Sequence, residues 1–356
     1  MFPRQRAPRM GGGSGGGENS LVTMPLFLRE DDIVRLLRIE DVIIAIEEAF
    51  RQHGFGKAVN RPRVRATSGN TVLQVMSAAI PSQGVMGLKA YTSARGGARF
   101  LGMLYSTESG DLLAVMEANR LGQIRTGAAS AVATKYLART DAGTVGIIGT
   151  GWQARTQLVA VSKIRPVALV KCFSRDDQRR VTFAQEMISE LGAEVATADS
   201  AQEAAEDADI IITATTSREP VLMGEWLGPG VHVNAIGSNW ASKQEVDAVV
   251  VQRSDRIVVD DLEQAKIEAG DLIKPVEDGL LEWDRVVELG QIVVGEVPGR
   301  SSPQEITLFE SQGIALEDVA AMKLAYDRAR QLGVGETLKQ IVNRELERLP
   351  LPFTPG

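Results

Sequence analysis

One six-residue segment has the composition and the surroundings of a phosphate-binding turn. It follows an apolar run at 144–148, precedes a helical pattern at 155–162, and reads Gly149-Thr150-Gly151-Trp152-Gln153-Ala154. Gly149 permits a tight turn, Gly151 lets backbone N–H groups approach a pyrophosphate, and Ala154 stands where helix and strand pack closely. With a strand before it and strand–helix units after it, the segment predicts a dinucleotide site rather than a Gly-rich turn without a ligand. We expect all six residues to contact a nicotinamide dinucleotide, which carries redox chemistry.

The second strand of this unit bears on which dinucleotide binds. Sites for NAD usually place a carboxylate on the ribose 2′-hydroxyl about 20 residues beyond the glycines, but this strand ends at Phe173-Ser174-Arg175. A guanidinium offers bidentate hydrogen bonds to a 2′-phosphate. Ser174 and Arg175 therefore favour NADP(H). The alternative is NAD(H), with Asp176 or Asp177 on the ribose and Arg175 in solvent.

The parallel sheet expected to carry this turn can be followed along the chain. Short apolar runs alternate with helical patterns, at 144–148, 167–173, 208–214, 231–236 and 256–259. Strands that alternate with helices form right-handed βαβ units and a parallel sheet. Thr215 and Thr216 follow the third of these strands at its carboxyl end. Ligands bind at that end in open α/β sheets, so we expect both residues to contact the cofactor.

A second unit lies on either side of this sheet in the sequence. Residues 29–57 show helical spacing, whereas 64–116 form short segments separated by Gly, Ser and Asn, as in an antiparallel sheet. An Ala-rich helix is expected at 126–139, and a C-terminal helix at 316–349 is expected to return to the first unit. We therefore predict an α/β fold: a Rossmann-type parallel-sheet domain at 126–319 and an α+β domain at 21–125 and 320–356. The Gly-rich residues 1–20 are interpreted as a flexible leader.

The composition disfavours several other classes of protein. A chain of 356 residues is long enough for two domains, and its net charge of −7 disfavours nucleic-acid and anionic-membrane partners. The longest stretch without charge, 66–88, is broken by polar residues, so no membrane span is predicted. One cysteine and two histidines without clustered spacing predict neither a disulfide nor a metal site. These features indicate a reducing, cytoplasmic setting, and Cys172 and His232 are interpreted as structural.

Five segments occur together in an order and spacing that resemble one family. They are Gly87-Leu88-Lys89-Ala90-Tyr91, Gln123-Ile124-Arg125-Thr126-Gly127-Ala128-Ala129-Ser130, the hexapeptide at 149–154, Asn234-Ala235-Ile236-Gly237 and Leu316-Glu317-Asp318-Val319-Ala320. From about residue 27 to residue 330 the chain resembles the ornithine cyclodeaminase and mu-crystallin family. The resemblance implies a homodimer built through the sheet-rich first domain, with the active site between that domain and the Rossmann domain. It also implies hydride transfer between a nicotinamide and the carbon that bears nitrogen in an amino or imino acid.

The resemblance assigns roles to several residues. Arg63, Lys89 and Arg125 match the basic residues that receive the substrate carboxylate, a task that suits fixed positive charge. Taken alone, such cations are more often solvated surface residues. Lys89 is also a candidate proton donor if burial lowers its pKa. Thr126 is expected to begin a helix whose free N–H groups meet the cofactor phosphate, and Ile236 is expected to line the cofactor site.

Asn239 departs from the pattern of the cyclodeaminases and of some alanine dehydrogenases, in which the matching position is an aspartate that can exchange a proton with the substrate amine. Asn239 cannot ionise, so we expect it to orient the substrate, a water or the cofactor carboxamide. The alternative is that it only caps a turn. The departure favours an NAD(P)H-dependent reductase of an α-imino or cyclic ketimine acid, or the reverse amino-acid dehydrogenase. Two alternatives stay open: an ornithine cyclodeaminase with a recycled cofactor, and a non-catalytic protein that holds NADPH and a small ligand.

Overall fold

Two β-sheets and the helices around them account for the part of the chain that the computed structural model describes, residues 24–94 and 97–339. The predicted leader at 1–20 and the last 17 residues, 340–356, lie outside this part. One sheet is entirely parallel and the other is mixed, which confirms the predicted α/β class with a Rossmann-type sheet and a second unit. Within the described ranges, no helix is long and apolar enough to cross a membrane.

Seven strands form the first sheet. They are β1 (Leu26–Leu28), β2 (Val59–Ser68), β3 (Thr71–Ile80), β4 (Val85–Ala94), β5 (Gly97–Ser106), β6 (Leu112–Glu117) and β15 (Glu336–Thr337). Their order is β15-β1-β6-β5-β4-β3-β2, and only β1 and β6 pair in parallel. Burial alternates along β3 and β4, as expected for a sheet with one covered face.

Four helices belong to this first sheet or connect it to the second. They are α1 (Glu30–Leu36), α2 (Ile39–Gly54), α3 (Asn119–Leu137) and α11 (Ala315–Leu332). Helix α11 lies across β2, β3, β4 and β5. It approaches closely because β4 carries Gly87, where a Cβ would meet the Met103 carbonyl and the Val319 side chain. This close approach brings the N-terminus of α11 against the strand that carries Lys89.

Eight strands form the second sheet. They are β7 (Thr144–Ile148), β8 (Leu169–Phe173), β9 (Glu194–Thr197), β10 (Ile210–Thr213), β11 (His232–Ala235), β12 (Arg256–Val259), β13 (Val286–Glu288) and β14 (Thr307–Glu310). The order is β13-β12-β14-β11-β10-β7-β8-β9, with every pair parallel. Five of the strands coincide with predicted ones. The sequence patterns did not indicate β9, β13 and β14, which are only three or four residues long.

Seven helices connect these strands. They are α4 (Trp152–Ser162), α5 (Asp177–Leu191), α6 (Ala201–Ala205), α7 (Ala248–Arg253), α8 (Leu262–Glu268), α9 (Gly270–Glu277) and α10 (Leu289–Val293). Strand β8 pairs with one side of β7, and the chain then crosses over so that β10 pairs with the other side. Such a reversal opens a crevice at the carboxyl ends of the strands, where open α/β sheets bind their ligands.

Two predicted helix boundaries are wrong. Helix α3 begins at Asn119, not near Thr126, because the Glu30 carboxylate accepts hydrogen bonds from the backbone N–H groups of Asn119 and Arg120. The predicted C-terminal helix over 316–349 ends at Leu332, where Gly333 takes a left-handed conformation. The chain then forms β15 beside β1, and residues 340–349 lie outside the described part. Both boundaries depend on contacts with residues far away in the sequence.

Candidate active site

The residues expected to bind substrate line a cavity of about 260 Å³, here called the central cavity, between the inner face of β3–β5 and the carboxyl ends of β11 and β14. Seven predicted site residues line it: Arg63, Lys89, Arg125, Thr126, Gln153, Ile236 and Asn239. They come from both sheets and from helices α3 and α4. The fold thus assembles these residues in one place, as the resemblance implies.

The strand register aims Lys89 into the central cavity. Lys89 pairs with Met76 on β3 and with Gly102 on β5, and its side chain is only 3% exposed. Tyr91 lies two residues further along β4 on the same face. The alternation of the strand therefore places the ammonium and an aromatic ring side by side on the covered face.

Lys89 and Arg125 share a carboxylate from the start of α11. Lys89 Nζ lies 2.6 Å from Asp318 Oδ2, and Arg125 Nε donates to Asp318 Oδ1 at 2.9 Å. Arg125 Nη1 also donates to Glu317 Oε2 at 2.5 Å. All four side chains are buried, so little water screens these interactions. The two cations are held at fixed positions before any substrate arrives.

Burial changes the protonation of this network. Burial, with help from Arg125, lowers the pKa of Lys89 to about 8 against the opposing effect of Asp318. Burial raises the pKa of Glu317 to about 8 although Arg125 opposes it. Burial disfavours the charged form of Arg125, but Asp318 and Glu317 raise its pKa above the usual value. A lysine with a pKa near neutrality suits reversible proton transfer.

Arg63 is held by a second buried carboxylate. Its guanidinium pairs with Glu268 and donates to the backbone carbonyls of Gln312 and Gly313 at 3.2 and 3.0 Å. Glu268 also lies 2.7 Å from Arg65. The Nε of Arg63 has no hydrogen-bond partner among the described residues. Arg63 is therefore fixed in the cavity wall by its partners, and one of its donors is buried without a partner.

An aromatic and polar wall completes the central cavity. Tyr91 and Phe100 stack with their ring centroids 4.5 Å apart. The Tyr91 hydroxyl donates to Gln74 Oε1 at 2.8 Å, and Gln74 Nε2 donates to Ser93 Oγ at 3.1 Å. Because Gln74 is engaged on both sides, this wall is fixed in shape. It presents ring faces and neutral polar groups to a ligand.

The segment that carries Asn239 is attached to the first sheet. Arg65 Nη2 donates to the Asn239 carbonyl at 2.8 Å, and its guanidinium lies 4.4 Å from the Trp240 ring centroid. These contacts hold Asn239 at the cavity, with its side chain among the lining groups. Arg65 therefore connects β2 with the end of β11.

The dinucleotide turn lines a second cavity of about 610 Å³, here called the cofactor cavity. The predicted residues in its wall are Gly149, Thr150, Gly151, Ser174, Arg175, Thr215 and Thr216. Gly149 has φ +104°, and a Cβ there would collide with the Ala214 carbonyl, whereas Gly151 faces open space. A turn that excludes a side chain at one glycine and leaves room above the next fits a bound pyrophosphate. The residues present therefore fit a dinucleotide.

A cation, Arg175, lies at the carboxyl end of β8 in the wall of the cofactor cavity. Arg175 is exposed and lines the cavity together with Ser174, whose hydroxyl accepts from Thr150 Oγ1 at 2.9 Å. Asp176 also lines the cavity, but its carboxylate caps α5 by accepting from Arg179 N at 3.0 Å. This capping role leaves Arg175 the better placed of the two groups to meet a ribose substituent.

Six expected cofactor contacts lie outside the wall of the cofactor cavity: Thr126, Gln153, Ile236 and Asn239 line the central cavity, and Trp152 and Ala154 line neither. Thr126 lies in the middle of α3 and its hydroxyl donates to the Gly122 carbonyl, so its N–H is not a free helix-terminal donor and that prediction is wrong. Ala154 is fully buried behind the turn, which suits close packing of helix and strand. Trp152 is 54% exposed and lies beside Arg120. It lines a third cavity of about 400 Å³, which also reaches Lys89 and Arg125.

Sequence reasoning missed the carboxylates around the cations. Glu268 lies outside the five family-like segments, whereas Glu317 and Asp318 belong to one of them without an assigned role. A usable signal was present, since two adjacent carboxylates in the otherwise apolar segment 314–322 indicate buried partners. Asp260 lies nearby, and burial raises its pKa to about 6. The site is therefore an ionic network rather than an isolated group of cations.

Comparison with known proteins gives consistent results. The model of the ornithine cyclodeaminase/mu-crystallin family matches residues 23–333. Alanine dehydrogenase of Archaeoglobus fulgidus is 36% identical over 323 residues, which cover 88% of this chain and 98% of that protein.

Two solved structures share the fold over nearly their whole length. Delta(1)-pyrroline-2-carboxylate reductase of Thermococcus litoralis, in complex with NADH and L-proline, has a TM-score of 0.85 and 37% identity, covering 88% of this chain and 100% of that chain. An archaeal alanine dehydrogenase dimer with bound NAD has a TM-score of 0.83 and 35% identity, covering 88% of this chain and 98% of that chain. Nicotinamide dinucleotides are thus bound by proteins of the same fold.

Proposed function

The chain belongs to the ornithine cyclodeaminase/mu-crystallin family, and from this premise we propose that it is an NAD(P)H-dependent oxidoreductase that reduces an α-imino or cyclic ketimine carboxylic acid to an amino acid. The same site would catalyse the reverse reaction as an amino-acid dehydrogenase. One observation carries the proposal: buried Lys89 and Arg125 share Asp318 in a cavity whose wall includes Gln153 of the dinucleotide turn. A carboxylate-binding site therefore adjoins a cofactor site.

The substrate carboxylate is the anchor in this mechanism. Arg63 and Arg125 provide fixed guanidinium groups in the cavity wall, and a guanidinium binds a carboxylate with two parallel hydrogen bonds. Glu268, Glu317 and Asp318 keep these cations oriented, so little side-chain entropy is lost when the substrate binds. The anchored carboxylate fixes the position of the neighbouring imine carbon.

Proton transfer is assigned to Lys89. Reduction of a C=N bond needs a hydride on carbon and a proton on nitrogen, and bound NAD(P)H supplies the hydride. Lys89 can give a proton near neutral pH because burial lowers its pKa to about 8. Asp318 holds the Lys89 ammonium in place at 2.6 Å, and Asn239 orients the substrate from the opposite wall without exchanging a proton itself.

The size and chemistry of the central cavity favour a small substrate. Its volume of about 260 Å³ is small for a ligand pocket. Tyr91, Phe100 and Trp240 offer ring faces to a substrate side chain or ring. Among the described residues, the lining of the central cavity includes no carboxylate that could receive a second ammonium group, and the nearby Glu268, Glu317 and Asp318 pair with Arg63, Lys89 and Arg125. We therefore expect an uncharged side chain or an imine ring.

Cofactor preference rests on the tip of β8. Arg175 and Ser174 line the cofactor cavity, and Asp176 is occupied as the cap of α5. We therefore propose that NADPH binds more tightly than NADH. The archaeal neighbours hold NADH and NAD, so the ratio of the two affinities has to be measured for this chain.

A homodimer is proposed from the outer face of the first sheet. Leu73, Met86 and Leu101 on this face are 43%, 38% and 43% exposed, and Leu88 and Ala90 lie between them in register. Exposed apolar patches of this kind mark protein interfaces. Light scattering should give twice the chain mass, and Leu101→Asp should shift the protein towards the monomer. A monomeric wild-type protein at micromolar concentration would contradict this assembly.

The function is tested by following nicotinamide absorbance. Purified protein is given NADPH or NADH with pyrroline-2-carboxylate, piperideine-2-carboxylate, or pyruvate plus ammonia or methylamine. Oxidation of the reduced cofactor with one of these substrates is the expected result. An ornithine reaction is run beside it with an ammonia assay. Ammonia released from ornithine without added cofactor, and no oxidation in the other reactions, would instead identify a cyclodeaminase.

A further inference from the structure

Glu245 is a buried carboxylate that this reaction scheme does not use. It is 1% exposed and accepts four hydrogen bonds. The donors are Thr213 Oγ1 at 2.8 Å, Thr215 N and Thr215 Oγ1 at 2.6 Å each, and Gly237 N at 2.7 Å. Thr213 ends β10, whereas Gly237 follows β11. One side chain therefore joins the backbone segments that leave two adjacent strands.

These two segments form the walls of the two cavities. Thr215 lines the cofactor cavity, and Gly237 lines the central cavity. A Cβ at Gly237 would collide with the Glu245 carboxylate and with the Thr215 carbonyl. The segment that continues to Asn239 thus rests directly on the carboxylate. A shift of Glu245 would move the wall on both sides.

The carboxylate is itself fixed from behind. The backbone N–H groups of Glu245 and Val246 donate to Asp271 Oδ1 at 2.7 and 2.8 Å. Burial raises the pKa of Glu245, and the hydrogen bonds from Thr215, Thr213 and Gly237 oppose this effect. Thr215 N–H faces one carboxylate oxygen and Gly237 N–H faces the other, and neither group can accept a proton, so both oxygens are held as acceptors, which favours the ionised form.

We propose that Glu245 is a positioning residue for the nicotinamide half of the cofactor, and that its negative charge stabilises the oxidised, cationic nicotinamide relative to the reduced, neutral one. The inference rests on the proposed cofactor site. Ligands of open α/β sheets lie at the carboxyl ends of the strands, beside the segments that Glu245 joins. Its four donors are neutral groups, so they do not cancel its charge. Because Glu245 is buried, little water would screen the attraction between this charge and the nicotinamide cation. A bias towards the oxidised form favours hydride donation to the imine.

The test measures affinity for both redox states of the cofactor by calorimetry, without turnover. Glu245→Gln removes the charge and should weaken binding of the oxidised cofactor about tenfold more than binding of the reduced cofactor, a modest effect for one unit charge that acts through protein. A purely structural role would weaken both forms equally. Glu245→Asp keeps the charge and shortens the side chain, so it should weaken both forms and leave their ratio unchanged.

Asp209→Asn is the matched control. Asp209 also holds two backbone N–H groups, those of Gly143 and Thr144 at 2.8 and 2.9 Å, but at the opposite end of the same sheet. The Asp209→Asn substitution should lower the melting temperature without changing the ratio of the affinities for the oxidised and reduced cofactor. An unchanged ratio in Glu245→Gln would overturn the role of the charge. Unchanged affinity for both forms in Glu245→Asp would overturn the positioning role, even if Glu245→Gln does not fold. Wild-type protein that binds neither form would instead overturn the proposed function.

Discussion

The two ends of the parallel sheet differ in how their buried charges are compensated. At the amino end, Arg165 donates to four backbone carbonyls around the C-terminus of α3. Asp209 there accepts from Gly143, Thr144 and Arg139, and these bonds lower its pKa although burial opposes them. At the carboxyl end, burial raises the pKa of Asp260 to about 6 and that of Asp271 to about 7.

The difference indicates that the amino end of the sheet has a structural role and that the carboxyl end holds the functional groups. At the carboxyl end, burial and the neighbouring Asp271 and Glu245 also raise the pKa of Glu310 well above its usual value. Groups with such shifted pKa values cluster at functional sites. Their ionised forms are unfavourable in the free protein, and a bound ligand can stabilise them. The charges of the amino end are paired within the chain, whereas the carboxyl end holds carboxyl groups whose ionisation burial disfavours. Matched substitutions at the two ends test this contrast.

Arg125→Ala should have the largest effect on activity. Loss of a buried charge-assisted contact to the substrate carboxylate should lower kcat/KM by about 100-fold or more, mainly through the KM for the imino acid. The KM for the cofactor should change much less. Steady-state kinetics with each substrate varied in turn measure both values. Arg165→Ala at the amino end should lower the melting temperature and leave the substrate KM unchanged; equal effects of Arg125→Ala on both KM values would contradict the assignment.

Asp318→Asn should shift the pH profile of kcat. Under the proposed mechanism the reaction needs the Lys89 ammonium, so activity should be present below about pH 8 and lost above it. Asp318 raises the pKa of Lys89, so Asp318→Asn should move the pH above which activity is lost to a lower value. At pH 8, where about half of Lys89 carries the proton before the substitution, we expect kcat to fall about 15-fold. The control is Asp327→Asn, because Asp327 lies on the same helix and pairs with Lys323 at the surface. An unchanged pH profile in Asp318→Asn would exclude Lys89 as the proton donor.

Arg175→Ala should change cofactor preference. Loss of a bidentate contact to a 2′-phosphate should raise the KM for NADPH about tenfold and leave that for NADH unchanged. Arg179→Ala, whose guanidinium lies 3.4 Å from Asp176, should have a smaller effect. Initial rates with both cofactors give the ratio. If the two cofactors respond equally to Arg175→Ala, the residue does not read the phosphate.

His232→Gln should have the smallest effect, and only on stability. Burial, together with Arg300, lowers the pKa of His232 from 6.5 to about 3, so the folded protein holds a neutral imidazole. This stabilisation is complete above pH 6.5 and is lost as the pH falls below it. At pH 6.0 the loss is about 0.8 kcal/mol, a factor of about four in the folding equilibrium. Urea unfolding at pH 6.0 and 8.0 should show a smaller pH dependence in the variant, and an identical dependence would contradict the buried neutral histidine.

Much of the cofactor half of the site could be predicted because its signals are local. The glycines at 149 and 151 act through the conformation of a few consecutive residues, and the apolar run before them has the length of a buried strand, which it forms. Thr126 shows the limit of such reasoning. Its helix begins seven residues earlier because Glu30, 89 positions away from Asn119, caps the helix.

The sequence by itself determined the fold class, the dinucleotide turn and, through resemblance, the identity of the substrate-side cations. Only the tertiary structure decided which carboxylate each cation meets: Arg63 pairs with Glu268, 205 residues away, and Arg125 with Asp318, 193 residues away. Glu245 received its role in the same way. The physical reason is burial, because a charge acquires a shifted pKa and a fixed partner only when folding removes the water around it. Periodicity and short motifs describe neighbours along the chain, and do not specify which distant charged groups folding brings together.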